Sequence, residues 1–358
     1  MFKMTYILIC MMVLLNACTF NKNDNERNIL AIEYKKDVSF SWSSLLQITE
    51  VIPLETNDTC IVSYANKCLV NDRYIVYDDY KQKALFVFNH EGKFLYKIDA
   101  LGSGDKDYSI IKDVTFSHNQ QEILLLDNTS ILAYDVSNGK YKHRISLDKQ
   151  LASFFYRLAD MDHNNLYFWS TDSEYSLYRK DSCGITPIKE REGFPFVCQK
   201  FYQDESGNLN LISDCGKYAI ESIIGNERQF KYGFDFGSLG FPDKKIKTAT
   251  EWEKIDKQPY FKSLLSAFET KDALYVTTAT PEKNLYNIVV NKATSEVHCG
   301  NQDNQNPIVV IGSDKAYFYG LLYPALFSKD SQFIDFMQQY KVSDEDNPVI
   351  IKFKFNLP

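Results

Sequence analysis

Histidine is scarce in this chain of 358 residues: there are five, His90, His118, His143, His163 and His298. No two stand at the H-x-x-H or H-E-x-x-H spacing that puts two imidazoles on one helix face, which excludes a histidine-built zinc centre. There is no Gly-x-Ser-x-Gly elbow. Gly102-Ser103-Gly104 lacks its spacing and the strand-to-helix setting that exposes a nucleophilic serine. Gly-x-Gly-x-x-Gly and Gly-Lys-Ser/Thr loops are missing, and with them the backbone cradle for a nucleotide phosphate. No Cys-x-x-Cys redox pair occurs. Positive charge is not in excess either: the formal net charge is −7, which argues against a nucleic-acid partner. The basic run Lys244-Lys245-Ile246-Lys247 reads as a solvated surface island. With 15 glycines and 10 prolines dispersed along the chain, no flexible linker divides the body.

What the chain does contain is a repeated unit. The clearest copy spans residues 71–98: the runs Tyr74–Tyr77, Ala84–Phe88 and Phe94–Ile98, with a Glu91-Gly92-Lys93 turn before the third. Short runs rich in aromatic and β-branched residues suit strands packed between layers. Glycine at the turn supplies the backbone freedom a tight hairpin needs. Six such units begin with inner-strand candidates at Ile61–Ala65, Ile111–Phe116, Phe154–Ala159, Cys198–Tyr202, Lys262–Phe268 and Pro307–Ile311. Their spacing of about 45 residues matches one four-stranded propeller blade. The expected fold is all-β, a six-bladed β-propeller of four-stranded antiparallel blades with short helical insertions. A hydrophobic fraction of 44% and an aromatic fraction of 15% supply the large side chains its blade interfaces require.

Two helical insertions are expected. Phe241–Ser266 lengthens the fourth interval and holds one or two short helices above the ring. Ser331–Tyr340 places Phe333, Phe336, Met337 and Tyr340 on one stripe, with Ser331 as its cap. The sixth unit is one strand short, and Thr49–Leu54 is a spare strand at the other end. Pairing it with Val349–Phe355 closes the ring and leaves no broad unpaired edge.

Ahead of the propeller, residues 1–17 form a short apolar leader after a single lysine, too short to span a bilayer comfortably. Leu15-Asn16-Ala17-Cys18 resembles the lipobox of bacterial lipoproteins, which implies cleavage before Cys18 and its lipidation. Residues 18–28 then serve as a flexible polar tether, and residues 29–358 form the propeller. The implied address is the bacterial cell envelope, lipid-anchored, with the outer membrane favoured.

The body resembles the six-bladed β-propeller lipoproteins of gut Bacteroidetes, loosely related to NHL-type propellers. The matching residues are Val51-Ile52-Pro53-Leu54-Glu55-Thr56, Ala84–Phe88 with Glu91-Gly92-Lys93-Phe94, Gly240-Phe241-Pro242-Asp243, and Asn347-Pro348-Val349-Ile350-Ile351. Relatives often carry a glycine-rich segment ending in Pro-Gly-Glu-Tyr; here Leu101–Tyr108 keeps two glycines and the tyrosine only.

One recurrent polar pattern bears on function. Asn66, Asp113, Asp160, Asp204 and Glu269 each fall at or near the end of an inner-strand candidate. Oxygen ligands converging from several strands suit calcium, and propeller lactonases hold a divalent metal in the channel this way. The same residues would equally line a wet channel mouth or cap strand ends. Tyr108 and Trp169 are candidate aromatics for a ligand face, with Tyr80, Tyr156, Tyr202 and Tyr323 behind them. Cys60, Cys68, Cys183, Cys198, Cys215 and Cys299 are either buried thiols or disulfide partners, Cys60–Cys68 and Cys183 with Cys198 or Cys215 being the pairings considered. The leading expectation is a lipid-anchored propeller that binds a glycan, a peptide or another envelope protein, leaning away from an enzyme. The alternatives are a metal-dependent lactonase- or esterase-like hydrolase and a structural scaffold.

Overall fold

A computed structural model describes residues 28–357 except 163–164, 243–245, 247, 306 and 328–332. The leader, Cys18 and the tether up to residue 27 lie outside the described residues, as do His163, Ser331 and most of the basic island. The chain opens with β1 (Ile29–Ala31), a single helical turn α1 (Trp42–Leu45) and β2 (Leu46–Pro53). Blade one follows as β3 (Ala65–Val70), β4 (Tyr74–Asp79), β5 (Ala84–Asn89) and β6 (Phe94–Ile98). Blade two is β7 (Asp113–Phe116), β8 (Glu122–Leu126), β9 (Ser130–Asp135) and β10 (Tyr141–Ser146), followed by the short turn α2 (Lys149–Ala152). Blade three is β11 (Phe155–Asp162), β12 (Asn165–Ser170), β13 (Tyr175–Asp181) and β14 (Gly184–Glu190).

Blade four comprises β15 (Phe201–Gln203), β16 (Leu209–Ile212), β17 (Ala219–Ile224) and β18 (Glu227–Asp235). The insertion then supplies one helix, α3 (Ala249–Asp256), before blade five: β19 (Leu264–Glu269), β20 (Ala273–Ala279), β21 (Leu285–Asn291) and β22 (Val297–Asn301). Thr248 and Glu251 close a capping box at the start of α3, and Trp252 stacks on Phe194 at 4.7 Å. Blade six is β23 (Ile308–Ser313), β24 (Phe318–Leu322) and, after α4 (Ile334–Gln339), β25 (Val349–Phe355). Phe333 and Met337 bury their side chains beside α4, while Tyr340 is exposed.

All six sheets are antiparallel meanders of four strands, with β1 added to blade four. The ring closes as the sequence implies, β2 pairing antiparallel with β25 as the outermost strand of blade six. The reach of the N-terminal segment was not foreseen. β1 lies parallel to β18 on blade four, Ser39 bridges Asn301 on blade five, and only then does β2 complete blade six. Phe40 and Trp42 anchor this strap against Tyr275, Phe353 and Phe355.

The apolar runs are continuous rather than alternating because each blade is covered on both faces. In blade one, Ile75, Tyr77, Phe86 and Phe88 pack toward blade six, whereas Val76, Leu85 and Val87 pack toward blade two. In β8, Leu124 and Leu126 face blade three while Ile123 and Leu125 face blade one. Burying one such Leu, Ile or Phe contributes about 1.5–3 kcal/mol, so stability is spread around the ring. The first inner strand begins at Ala65, not Ile61. Residues 61–64 instead form an entry loop, held where Asp79 accepts from the Ser63 amide and hydroxyl.

Candidate functional site

The inner strands β3, β7, β11, β15, β19 and β23 surround an open central cavity of about 1150 Å³. At the end of the ring where these strands begin, each blade presents a large apolar side chain to solvent: Tyr64, Ile110, Phe154, Val197 and Val309 at or just before the inner strands, and Leu285 at the start of β21 in blade five, each 42–52% exposed. Ile110, Val197, Leu285 and Val309 line the cavity itself. A rim with a contribution from each blade is not the scatter of single apolar residues that ordinary surfaces carry. The loops bearing it are fixed from behind. Asp79 accepts from Ser63, Lys81 and Gln82, and Asp127 accepts from the amides of Ser109 and Ile110 and the Ser109 hydroxyl. Asp214 takes the Trp169 indole N–H at 2.8 Å and Arg191 at 2.8 Å.

Below this rim the lining is cationic: Lys67, Lys112, Arg157 and Lys200, one per blade in blades one to four, with Asp113 among them. The opposite end is acidic: Asp72, Asp160, Asp204, Glu205 and Asp314, with Lys315. The channel is therefore polarised along its axis. A low-dielectric wall makes such segregation felt by anything that enters.

The five polar residues singled out from the sequence do not form one site. Asn66 and Asp113 stand at the beginnings of β3 and β7, while Asp160, Asp204 and Glu269 stand at or beyond the ends of β11, β15 and β19. At the first end, Lys67 pairs with Asp113 at 2.8 Å, and Asp113 also accepts the Leu158 amide. Next to them Asp78, 2% exposed, has its carboxyl pushed up to about 7. Burial is the main cause, the Asp113 charge adds to it, and Asn66 and Lys67 pull the other way. Asp160 accepts the amide of His118.

At the far end the structure brings Asp204 and Glu269 together with Glu205, their ligand oxygens all within 4.8 Å. Two lysines occupy that space. Lys231 reaches Asp204 at 2.8 Å and Glu269 at 2.7 Å; Lys292 reaches Glu205 at 3.0 Å and Glu269 at 2.6 Å. Tyr202 and Tyr232 donate their hydroxyls to the same Glu269 carboxylate. Burial raises the Asp204 carboxyl, but Lys231 and Asn208 outweigh it and hold it below the usual range. Likewise Glu269 and Glu205 keep the Lys292 ammonium above its ordinary value against the cost of burial. The positive charge a divalent cation would bring is already supplied, so these residues do not fit calcium.

Neither aromatic expected on a ligand face is there. Tyr108 is 0% exposed in the interface of blades one and two and donates its hydroxyl to the Lys83 carbonyl. Trp169 is 1% exposed on the face of β12 that packs against blade four. Tyr202 is buried against Glu269, while Tyr156 lines the cavity and Tyr80 is exposed. The six cysteines of the described residues are all free. Cys60 donates to the Glu55 carbonyl and Cys68 points into the interface of blades one and six, so no staple joins them.

The sequence reading missed the cationic collar and the apolar rim. Both left a signal: Lys67, Lys112, Arg157 and Lys200 recur about 45 residues apart, the blade period itself.

A six-bladed propeller with a polarised, apolar-rimmed channel is the class that fold and site define. The model of the domain of unknown function DUF4934 matches residues 27–355, and the chain belongs to that family. The fold is shared with a Bacteroides fragilis protein whose crystal structure is described as that of an exported protein. That match has a TM-score of 0.70 and 18% identity and covers 92% of this chain and 100% of that one. It is also similar to a DUF4221 family member from Bacteroides vulgatus, with a TM-score of 0.59 and 11% identity, covering 87% and 98%. No curated protein matches the sequence.

Proposed function

We propose that this protein is an envelope-located binding propeller, lipidated at Cys18, that takes its ligand or partner at the rimmed mouth of the channel. The observation that carries this reading is the set of exposed apolar side chains Ile110, Val197, Leu285 and Val309 lining an open cavity, with Tyr64 and Phe154 exposed at the starts of the neighbouring inner strands. Exposed apolar surface on a soluble body is costly unless something covers it, and a cavity framed by such residues is the ordinary form of a binding site. The lipobox and the similarity to a Bacteroides protein described as exported support the address. The point where the described chain begins supports it as well. Asn28 joins the outer edge of blade four, where its carbonyl accepts the Gly233 amide, away from the channel. A tether leaving from there keeps the mouth clear.

The test places a photo-crosslinking residue at Phe154 or Val309 on the rim, or at Ile224 on the outer turn of blade four, in cells making the native or Cys18→Ser chain. Rim positions are expected to give a discrete adduct that Val197→Asp abolishes, Ile224 none, and Cys18→Ser to lose membrane attachment. Equal labelling from all three positions, or none from the rim, removes the mouth as the binding face.

A further inference from the structure

Among the described residues, two of the four cations at the mouth have no carboxylate within ion-pair distance. Lys67 pairs with Asp113 at 2.8 Å, and Lys200 shares Asp214, at 3.5 Å, with Arg191. Lys112 instead donates its ammonium to the carbonyls of Ala152 and Ser153, at 3.2 and 3.1 Å, and lies 5.0 Å from the Tyr156 ring centroid. Arg157 donates to the carbonyls of Cys198, Lys112 and Tyr156 at 2.7–3.2 Å. Carbonyls satisfy hydrogen bonds and fix geometry, but they carry no net charge. Both residues belong to the seam of blades two and three, where the Arg157 guanidinium holds the Lys112 backbone carbonyl. The carboxylate whose field reaches Lys112 is that of Asp127, and it is committed to Ser109 and Ile110. Burial already weighs against the Lys112 charge and lowers its pKa. An anion here would relieve that cost.

Apolar surface frames the same place. Ile110 precedes Lys112 by two residues, Val197 precedes the Cys198 carbonyl that Arg157 holds, and Leu285 and Val309 complete the cavity wall. We propose that the mouth binds an amphipathic organic anion, with its carboxylate or comparable oxyanion on Lys112 and Arg157 and its apolar body against Ile110, Val197, Leu285 and Val309. This rests on the mouth being the binding face and adds the chemical class and the pose. At the far end carboxylates outnumber the ammonium groups paired with them, Asp72 adding to the three that face Lys231 and Lys292, so the anionic head is disfavoured there and the ligand has one orientation.

The experiment uses protein beginning at Thr19, which keeps the whole closed ring and has no acyl chain to compete. Anilinonaphthalene sulfonate serves as a fluorescent reporter, displaced in turn by decanoate, decanol and decylamine. Decanoate is expected to displace it at least about tenfold more effectively than the other two. Lys112→Gln should weaken decanoate about tenfold with an unchanged melt, and Arg157→Lys should weaken it less than Arg157→Gln. Lys142→Gln on the outer strand β10 should leave it unchanged. Equal affinity for decanol and decanoate, or indifference to Lys112→Gln, overturns the anion assignment while leaving the mouth as a binding face. Absence of any displacement also overturns the assignment, and the crosslinking result then stands or falls by itself.

Discussion

Asp78 is a carboxyl that folding has made hard to ionise. It lies beside Asp113 at the first end of the channel, with its carboxyl held up to about 7, mainly by burial. Between about pH 4 and 7 an unfolded chain releases this proton while the folded one keeps it. Asp78 therefore takes stability away as pH rises through that window, and above about 7 the loss is complete. Asp78→Asn keeps the oxygen that Asn66 bonds and removes the titration. It is expected to be nearly neutral at pH 4 and to stabilise by roughly 2–4 kcal/mol at pH 8. Denaturant melts of both proteins across that range decide it; a gain that does not grow with pH would place the ionisation elsewhere.

The elements themselves were largely legible from the sequence, because blade strands buried on both faces carry their signal in consecutive residues, as in Ala84–Phe88. Ring closure was legible too, since a strand was missing at one end and spare at the other. What stayed hidden depends on contacts between distant segments. β1 is three residues long and gains its partner only from the exposed edge of β18. The first inner strand was placed four residues early because Ile61–Ala65 is as apolar as a strand, and only the Asp79 carboxylate shows it to be a loop. The candidate site suffered most. Carboxylates that recur once per blade looked like a converging ligand set, yet they fall at two opposite ends of their strands. Gly92 was read as a turn residue, which it is, with φ +80°, but the structure gives it a second duty. A Cβ there would stand 2.2 Å from the Pro53 carbonyl oxygen at the end of the ring-closing strand β2. Gly207 has φ +83° with nothing within 4 Å. Gly207→Ala should cost about 1 kcal/mol, the conformational term alone, and Gly92→Ala roughly 2–4 kcal/mol because β2 must shift. Similar melting temperatures for the two variants would show that the Pro53 contact does not matter.

Across the whole molecule, charged pairs tie neighbouring blades together. Lys67 of blade one meets Asp113 of blade two, Lys189 of blade three meets Glu221 of blade four, and blades four and five exchange Lys231–Glu269 and Lys292–Glu205. A closed ring has no free edge at which one blade can open alone, so each such pair is loaded only when the circle is complete. The densest of these seams, around Glu269, is also the place where a metal would be sought by its carboxylates. Its balance of three carboxylates against two ammonium groups and two tyrosine hydroxyls makes the opposite prediction. Calcium and a chelator should each leave the melting temperature unchanged, and elemental analysis should find no stoichiometric ion. Lys292→Met should destabilise by about 1–3 kcal/mol, since it leaves Glu269, a carboxylate that is 1% exposed, with one ammonium partner in place of two. In that variant alone calcium should recover part of the loss, the ion taking the place of the missing ammonium. A calcium-dependent melt in the native protein would reverse this assignment and return the far end of the channel to metal chemistry.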